Sequence, residues 1–350
     1  MKFFFLESAW PSGSNHPVYR SIIDHRPEGW DPCATEDEAD LVIVPTRPWY
    51  NGTKPWVLFI EDWVTLYHDD IVNGATGERD ILHHPRTFAL RILFGRENFR
   101  GIVCHHRGTF ADLSYLHLTD KLFYFSFGIA KQIQADIGTH PTTRFVFINS
   151  YGAQHFNFTN RGGHLVLRAF KDALKECPDI HLTVCCAIPP GLSDDLVSFI
   201  ESCPSITHIT GHLREQELYR LIADADCLLL PSHRVHVHSI LLPFSFGIPV
   251  ISSDGWGNDE YVIDGINGFR VPGIFGKTSW RNHILQEDYS KWPDTLASDE
   301  FVKDRIIQLH RDRRILKRLG REAREYSMDV HSVERMRRQL GHIFHSCLSV

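Results

Sequence analysis

The sequence predicts an α/β protein of two domains, each built on a parallel sheet, and three observations carry that expectation. At 350 residues the chain is longer than one ordinary α/β core, so two cores are the natural arrangement. Its second half alternates short apolar runs with amphipathic segments, the pattern that yields a parallel sheet with helices on both faces. Its composition, 43% hydrophobic, 12% aromatic and 23% charged, is that of a folded globular protein.

The elements of the second half read in order. Phe145–Asn149 is a strand, Gly163–Glu176 a helix, His181–Ala187 a strand, and Asp194–Glu201 a helix capped by Ser193. Ile206–Thr210, Leu228–Leu230 and Val250–Ser252 follow as strands, with helices at Glu215–Ala223 and Ser239–Phe246 between them. The first half offers strands at Phe3–Leu6, Leu41–Val44, Val57–Ile60, Ile102–Cys104 and Leu122–Phe125, with helices that are harder to place. Ile129–Thr143, holding Gly138 and Pro141, reads as the linker and hinge. Asp304–Arg338 reads as a helical segment whose many Arg and Glu form a solvated face.

Several function classes are disfavoured at this level. A formal charge of -6 gives no general hold on nucleic acid or acidic lipid, although local basic patches stay open. The eight cysteines include no Cys-x-x-Cys pair and read as thiols of a reducing, cytoplasmic compartment. The short apolar run of Met1–Glu7 reads as a strand rather than a signal peptide. The best membrane-span candidate, Ser239–Ser252, is interrupted by two prolines and a glycine.

From Ile206 onward the motifs become specific. Thr210-Gly211-His212-Leu213-Arg214-Glu215-Gln216-Glu217-Leu218-Tyr219 is followed by Ala223-Asp224-Ala225-Asp226 and Leu230-Pro231-Ser232. Then come Phe246-Gly247-Ile248-Pro249-Val250-Ile251 and Glu260-Tyr261-Val262-Ile263-Asp264-Gly265-Ile266-Asn267-Gly268-Phe269. These blocks resemble, in order, the nucleotide-sugar glycosyltransferases of the GT-B fold, most closely the retaining group called glycosyltransferase family 4. Asn160-Arg161-Gly162-Gly163 falls where that family has a Lys-Gly pair, so the resemblance runs from about Phe145 to Leu340. It implies two Rossmann-like domains with parallel sheets facing across a cleft. An acceptor domain would span 1–138 and a donor domain 139–325, with 326–350 packing back on the first. It also implies transfer of a hexosyl or related group from a nucleoside-diphosphate sugar to a glycan, lipid-linked or other hydroxyl acceptor, in surface polysaccharide or glycoconjugate synthesis.

The same resemblance places the site. The family carries two glutamates before its Gly-x-Pro-Val turn, and this chain has Arg234 and Leu242 in those places. Donor contacts are expected from Gly13, Arg161, Gly162, Leu213, Ser232, Arg234, His236, His238 and Glu260. Arg161 leads, because an arginine beside glycines at a strand-loop-helix junction can meet phosphate together with helix amides. Glu260 is equally well explained as a residue opening a helix. His233, His236 and His238 have a spacing that could ligate metal, yet lack a neighbouring carboxylate or cysteine, so no metal or cofactor is expected. His105, His106 and Asp62 are the expected bases should the reaction invert the sugar; if it retains, the donor phosphate takes the proton. Trp10, Trp49, Tyr50, Trp56 and Trp63 could stack on sugars or fill a core. A nucleotide-sugar donor and a glycan or lipid-linked acceptor are the expected partners, with peripheral association at the inner face of a membrane left open. A catalytically silent module that binds a nucleotide, glycan or protein, and a nucleotide-sugar epimerase, are the competing readings.

Overall fold

A computed structural model of the chain describes residues 1–6, 17–67, 79–149, 155–272, 284–285 and 296–349. The chain divides into two compact units, Met1–Ala130 with Ser279–Asp288 and Val330–Val350, and Lys131–Thr278 with Tyr289–Asp329.

The first unit contains β1 (Lys2–Phe5), α1 (Pro17–Asp24), β2 (Asp31–Pro32), β3 (Leu41–Pro45), β4 (Trp56–Ile60) and β5 (Arg79–Asp80). It continues with α2 (Pro85–Phe94), β6 (Phe99–Cys104), α3 (Arg107–Asp112) and β7 (Leu122–Tyr124). Six of these strands form a parallel sheet in the order β2-β1-β3-β4-β6-β7. β3 (LVIVP) and β4 (WVLFI) are buried at every position, as expected of strands covered on both faces. α2 starts where it does because Pro85 presets the first helical φ and the His84 ring nitrogen accepts the Arg86 N–H at 3.2 Å.

The second unit contains β8 (Thr143–Ile148), α4 (His155–Asn160), α5 (Gly163–Glu176), β9 (Ile180–Cys185), α6 (Asp194–Ser202) and β10 (Ile206–Ile209). α7 (Glu215–Ala223), β11 (Cys227–Leu230), α8 (Val237–Phe246), β12 (Val250–Ser253) and β13 (Gly268–Val271) follow. Its parallel sheet has the order β10-β9-β8-β11-β12-β13. Counted from its first strand this is 3-2-1-4-5-6, the arrangement of dinucleotide-binding α/β sheets. Asp226 locks the amino-terminal edge of its centre. This fully buried carboxylate accepts the N–H groups of Gly138 at 2.6 Å and Arg144 at 2.8 Å.

Beyond β13 the chain returns to the first unit as β14 (Ile284–Leu285), which pairs antiparallel with β5. The expected single helical segment at Asp304–Arg338 is in fact parts of three helices, α9 (Leu296–Arg311), α10 (Arg313–Val330) and α11 (Val333–Leu348). The breaks have local causes. The Asp312 carboxylate accepts the Arg314 N–H at 3.0 Å, and the Ser332 hydroxyl accepts the Arg335 N–H at 3.4 Å, each ending one helix run and opening the next. Nor are all of its arginines merely solvated. Arg324 donates to the carbonyls of Ser245 and Gln132, and Arg318 to Gly265 at 2.9 Å. α11 belongs to the first unit, where the Phe344 ring lies against Trp30, Phe3 and Phe59 with centroids 5.1, 6.1 and 6.2 Å away. Burying such a ring contributes on the order of 2 kcal/mol.

Candidate functional site

In the second unit, connections from β8 run to one side of the sheet through β9 and β10, and the chain then crosses to β11 on the other side. The winding therefore reverses between β8 and β11, where the two outgoing loops diverge from the carboxyl ends and leave a crevice. The chain leaving β8 passes through α4 to Arg161 and Gly162 and enters α5. The chain leaving β11 passes Pro231 to His236 and enters α8. Arg161, Gly162, Ser232, Arg234, His236 and His238 thus all lie on the two segments that flank the reversal. Hydrogen bonds join the segments directly, from His233 N–H to Asn160 O at 2.9 Å and from Arg161 Nη1 to Ser239 Oγ at 3.1 Å.

The backbone explains the residue types. Gly162 has φ 76°, and a Cβ there would stand 2.4 Å from the Pro231 carbonyl oxygen, so only glycine lets the two loops approach this closely. Ser232 is fully buried and its hydroxyl donates to Arg234 O at 2.7 Å. Its carbonyl accepts from Ser253 Oγ and from Asn258 Nδ2 at 3.2 Å. Ser232 therefore shapes the loop from within. Trp256 clamps the same loop, donating its N–H to His233 O at 2.9 Å and accepting from Val235 N–H at 2.8 Å.

The electrostatics are one-sided. Arg161 is 5% exposed, and among the described residues its guanidinium bonds only neutral groups, Ser239 Oγ and Ile148 O, the latter at 3.2 Å. Burial, and then the charge of Arg234, pull its pKa from 12.5 down to about 9, and its Nε has no hydrogen-bond partner among the described residues. A buried guanidinium is ordinarily neutralised by a carboxylate, because an uncompensated charge away from water is costly. Here the flanking sequence supplies none, since residues 137–171 and 227–253 contain no Asp or Glu. His233 is kept neutral, its pKa lowered to about 2 first by burial and then by His164. α5 and α8 both begin here and direct their first amides to this end of the sheet. Such a place favours a compact anion. Among the described residues no three His, Cys, Asp or Glu side chains converge as metal ligands do.

Two sequence expectations about this region need correction. α8 begins at Val237, two residues before the expected Ser239, so His238 and Ser239 lie in its first turn and His236 holds its N-cap position. Glu260 does not open a helix but closes the three-residue 3₁₀ turn Asn258–Glu260 after β12, so a helix dipole does not account for it. Leu242 is buried inside α8. Leu213 is half-buried after β10, the sheet's edge strand, beside the N-cap of α7. Ser239, the acceptor for Arg161, was the partner that the sequence alone did not single out.

In the first unit the reversal lies between β1 and β3. Gly13 and Trp10, which follow β1 in the sequence, lie outside the described residues. β3 leads into Thr46 and Arg47, which the sequence reading did not single out. Thr46 has φ 61°, uncommon for a non-glycine residue, and is held there by bonds from its own N–H to Phe59 O at 2.8 Å and from Arg47 N–H to Pro45 O at 2.7 Å. His105 and His106 follow β6, two strands from β3 in the sheet. Both are buried, His105 among Phe125, Phe127 and the His106 ring at centroid distances of 5.4 to 5.8 Å. Asp62 is also buried, and its carboxylate accepts the Thr65 N–H at 3.1 Å and hydroxyl at 3.0 Å, capping a 3₁₀ turn. Tyr50, Trp56 and Trp63 are core, whereas Trp49 stays exposed.

Comparison with known proteins adds a second line of observation. Residues 146–283 match the family model described as Glycosyl transferases group 1. No curated protein matches the sequence. Solved structures match across nearly the whole length. WaaG, a glycosyltransferase involved in lipopolysaccharide biosynthesis, superposes with TM-score 0.62 at 13% identity, covering 98% of this chain and 99% of its own. Anabaena HepE, in complex with UDP and glucose, gives 0.63 at 13% identity and 99% of both chains. A glycosyltransferase from Rickettsia africae gives 0.63 at 11% identity, over 99% of this chain and 98% of its own. The fold is that of the GT-B glycosyltransferases.

Proposed function

Starting from a second unit that carries the group 1 glycosyltransferase match and a cationic crevice at its sheet reversal, we propose that the chain transfers a sugar from a nucleoside-diphosphate donor. The single observation that carries this reading is Arg161, a buried guanidinium whose hydrogen-bond partners among the described residues are neutral, beside a second arginine and two helix N-termini. A diphosphate supplies the missing charge. In transfer, the bond between the sugar's anomeric carbon and the β-phosphate oxygen breaks, and negative charge grows on that oxygen. Arg161, Arg234 and the first amides of α5 and α8 are preorganised for it, and removing one such donor typically costs 10²- to 10³-fold in rate.

Sugar hydroxyls in this site meet histidines rather than carboxylates. His236 and His238, at the start of α8, are the side chains we assign to them, because neutral imidazole offers one donor and one acceptor. In the first unit we assign the acceptor proton, for an inverting reaction, to His106, since Asp62 already holds Thr65 and His105 is packed among aromatic rings. A glycan or lipid-linked hydroxyl is the proposed acceptor class. The UDP in Anabaena HepE makes UDP-sugars the first donors to try.

The test is release of free nucleotide from a panel of UDP-, GDP-, ADP- and TDP-sugars, with and without candidate acceptors, for the wild type and Arg161→Ala. Turnover lost in the variant supports the reading. Nucleotide binding with no turnover on any donor would favour a silent module, and conversion of the donor without acceptor an epimerase.

A further inference from the structure

A cavity of about 380 Å³ opens on the first unit between α11 and the turn 27–30, a size within the roughly 300 to 1,000 Å³ of small-molecule sites. The turn is closed by Trp30 N–H donating to Pro27 O at 3.2 Å, and Gly29 takes φ 79°, so Glu28 is presented on a fixed backbone. Opposite it, α11 lines the cavity with Glu334, Arg337, Arg338, Gly341, His342 and His345, which recur at helical spacing and form one face. Two of these side chains are held in place by backbone carbonyls. Arg337 Nε donates to Arg26 O at 3.1 Å, which leaves both Nη groups uncommitted among the described residues. His345 Nδ1 lies 2.6 Å from Gly341 O and donates to it, since a carbonyl only accepts, and Nε2 is left for another group. The same ring stands edge-on to Trp30 at a centroid distance of 5.8 Å.

Gly341 adds an independent sign. A glycine in mid-helix weakens the helix relative to alanine, because it loses more backbone freedom on folding. Packing does not require one here, since a Cβ at this position would meet only Pro27 Cβ, at an ordinary contact distance of 3.5 Å. What the missing side chain does is keep the cavity open. Glu334 and Arg338 stand four residues apart on α11, a spacing suited to an ion pair, yet among the described residues neither is paired, and nor is Glu28. We infer that this cavity binds a sugar phosphate. Arg337 and Arg338 offer the donor geometry that phosphate oxygens take. Glu28 and Glu334 accept protons from sugar hydroxyls, as acceptor-only groups must. Phosphate alone would meet these carboxylates with no proton to give them, so the sugar is part of what the cavity selects. The site belongs to the first unit and does not depend on the donor reading at Arg161.

Calorimetric titration of the full chain with glucose 6-phosphate, glucose 1-phosphate, inorganic phosphate and glucose tests it. The wild type is expected to bind a sugar phosphate about tenfold or more tightly than inorganic phosphate, and to show no heat with glucose. Arg337→Gln with Arg338→Gln should weaken the sugar phosphate about tenfold or more. Glu28→Gln with Glu334→Gln should weaken it roughly fivefold while inorganic phosphate binds no worse. Gly341→Leu should abolish binding with a melting temperature at or above that of the wild type; if it melts lower, the exposed arginine substitutions decide. Arg161→Ala should bind the sugar phosphate as the wild type does. Binding of neither sugar phosphate, equal binding of inorganic phosphate, or arginine variants that bind as wild type would overturn the proposal. So would loss of binding in Arg161→Ala, since the ligand would then sit in the second unit's crevice. Failure of UDP to bind the wild type would count against the donor site and leave this result standing.

Discussion

Both units wind six parallel strands, but they furnish the reversal of winding differently. In the second unit the reversal between β8 and β11 receives Arg161, Arg234, two helix N-termini and no acid over the flanking stretches. In the first, the reversal between β1 and β3 receives the twisted Thr46-Arg47 turn, while the buried histidines sit two strands away after β6. Under the proposed function, the difference follows from what each half would recognise. A diphosphate is a fixed demand that cations and amides meet in any member of such a fold, and it leaves a charge signature. A hydroxyl acceptor makes no comparable demand, so the first unit shows polar groups committed to its own loops instead.

The largest effect that would break this contrast is that of Arg161→Ala. It should lower kcat/KM by 10²- to 10³-fold, roughly 3 to 4 kcal/mol of transition-state stabilisation, with little change in melting temperature. A steady-state assay checks this, and His106→Ala in the first unit should leave nucleotide affinity untouched.

Next in size, Asp226→Ala contrasts the two edges of the same sheet. It strips two backbone N–H groups of their buried acceptor and should destabilise by about 3 kcal/mol in urea unfolding while nucleotide affinity stays unchanged. Loss of affinity with intact stability would mean the amino edge takes part in binding.

A third variant tests how closely the two loops must meet. Gly162→Ala places a Cβ against Pro231 O and in a left-handed conformation, and should cost about 2 kcal/mol in stability with weaker nucleotide binding. A neutral result would mean that the loops can separate without loss.

The smallest effect concerns His233. Its folded pKa lies below the unfolded value, so the unfolded chain takes up protons first as pH falls from 6.5 toward 2. Stability that is complete above pH 6.5 should therefore decline below it. His233→Gln should remove roughly 1 kcal/mol of that loss between pH 6.5 and 5.5, read as a flatter profile of unfolding midpoint against pH.

How much of this was legible in the sequence follows the same division. Five of the six sheet strands of the second unit lie within two residues of their expected bounds, because each is a short apolar run between turn residues, whereas β13 was not anticipated. α5 and α7 match their expected bounds, since their apolar faces repeat cleanly. Arg161 stood out because the strand, the glycine pair and the amphipathic helix are consecutive in the chain. Ser239 did not, because its contact with Arg161 spans 78 residues and depends on β8 and β11 being neighbours. α2 was unreadable for another reason. Its Phe88 and Ile92 face outward, which erases the apolar period that marks a helix. Thr46 and Arg47 matter only through strand order, which no local pattern encodes.

Everything proposed for the second unit depends on a diphosphate binding at Arg161. Calorimetric titration of the wild type and Arg161→Ala with UDP and with uridine tests it most directly. The expected result is tight UDP binding, at least a hundredfold weaker binding of uridine, and UDP affinity in the variant reduced to the level of uridine. Equal UDP affinity in the two proteins would contradict it.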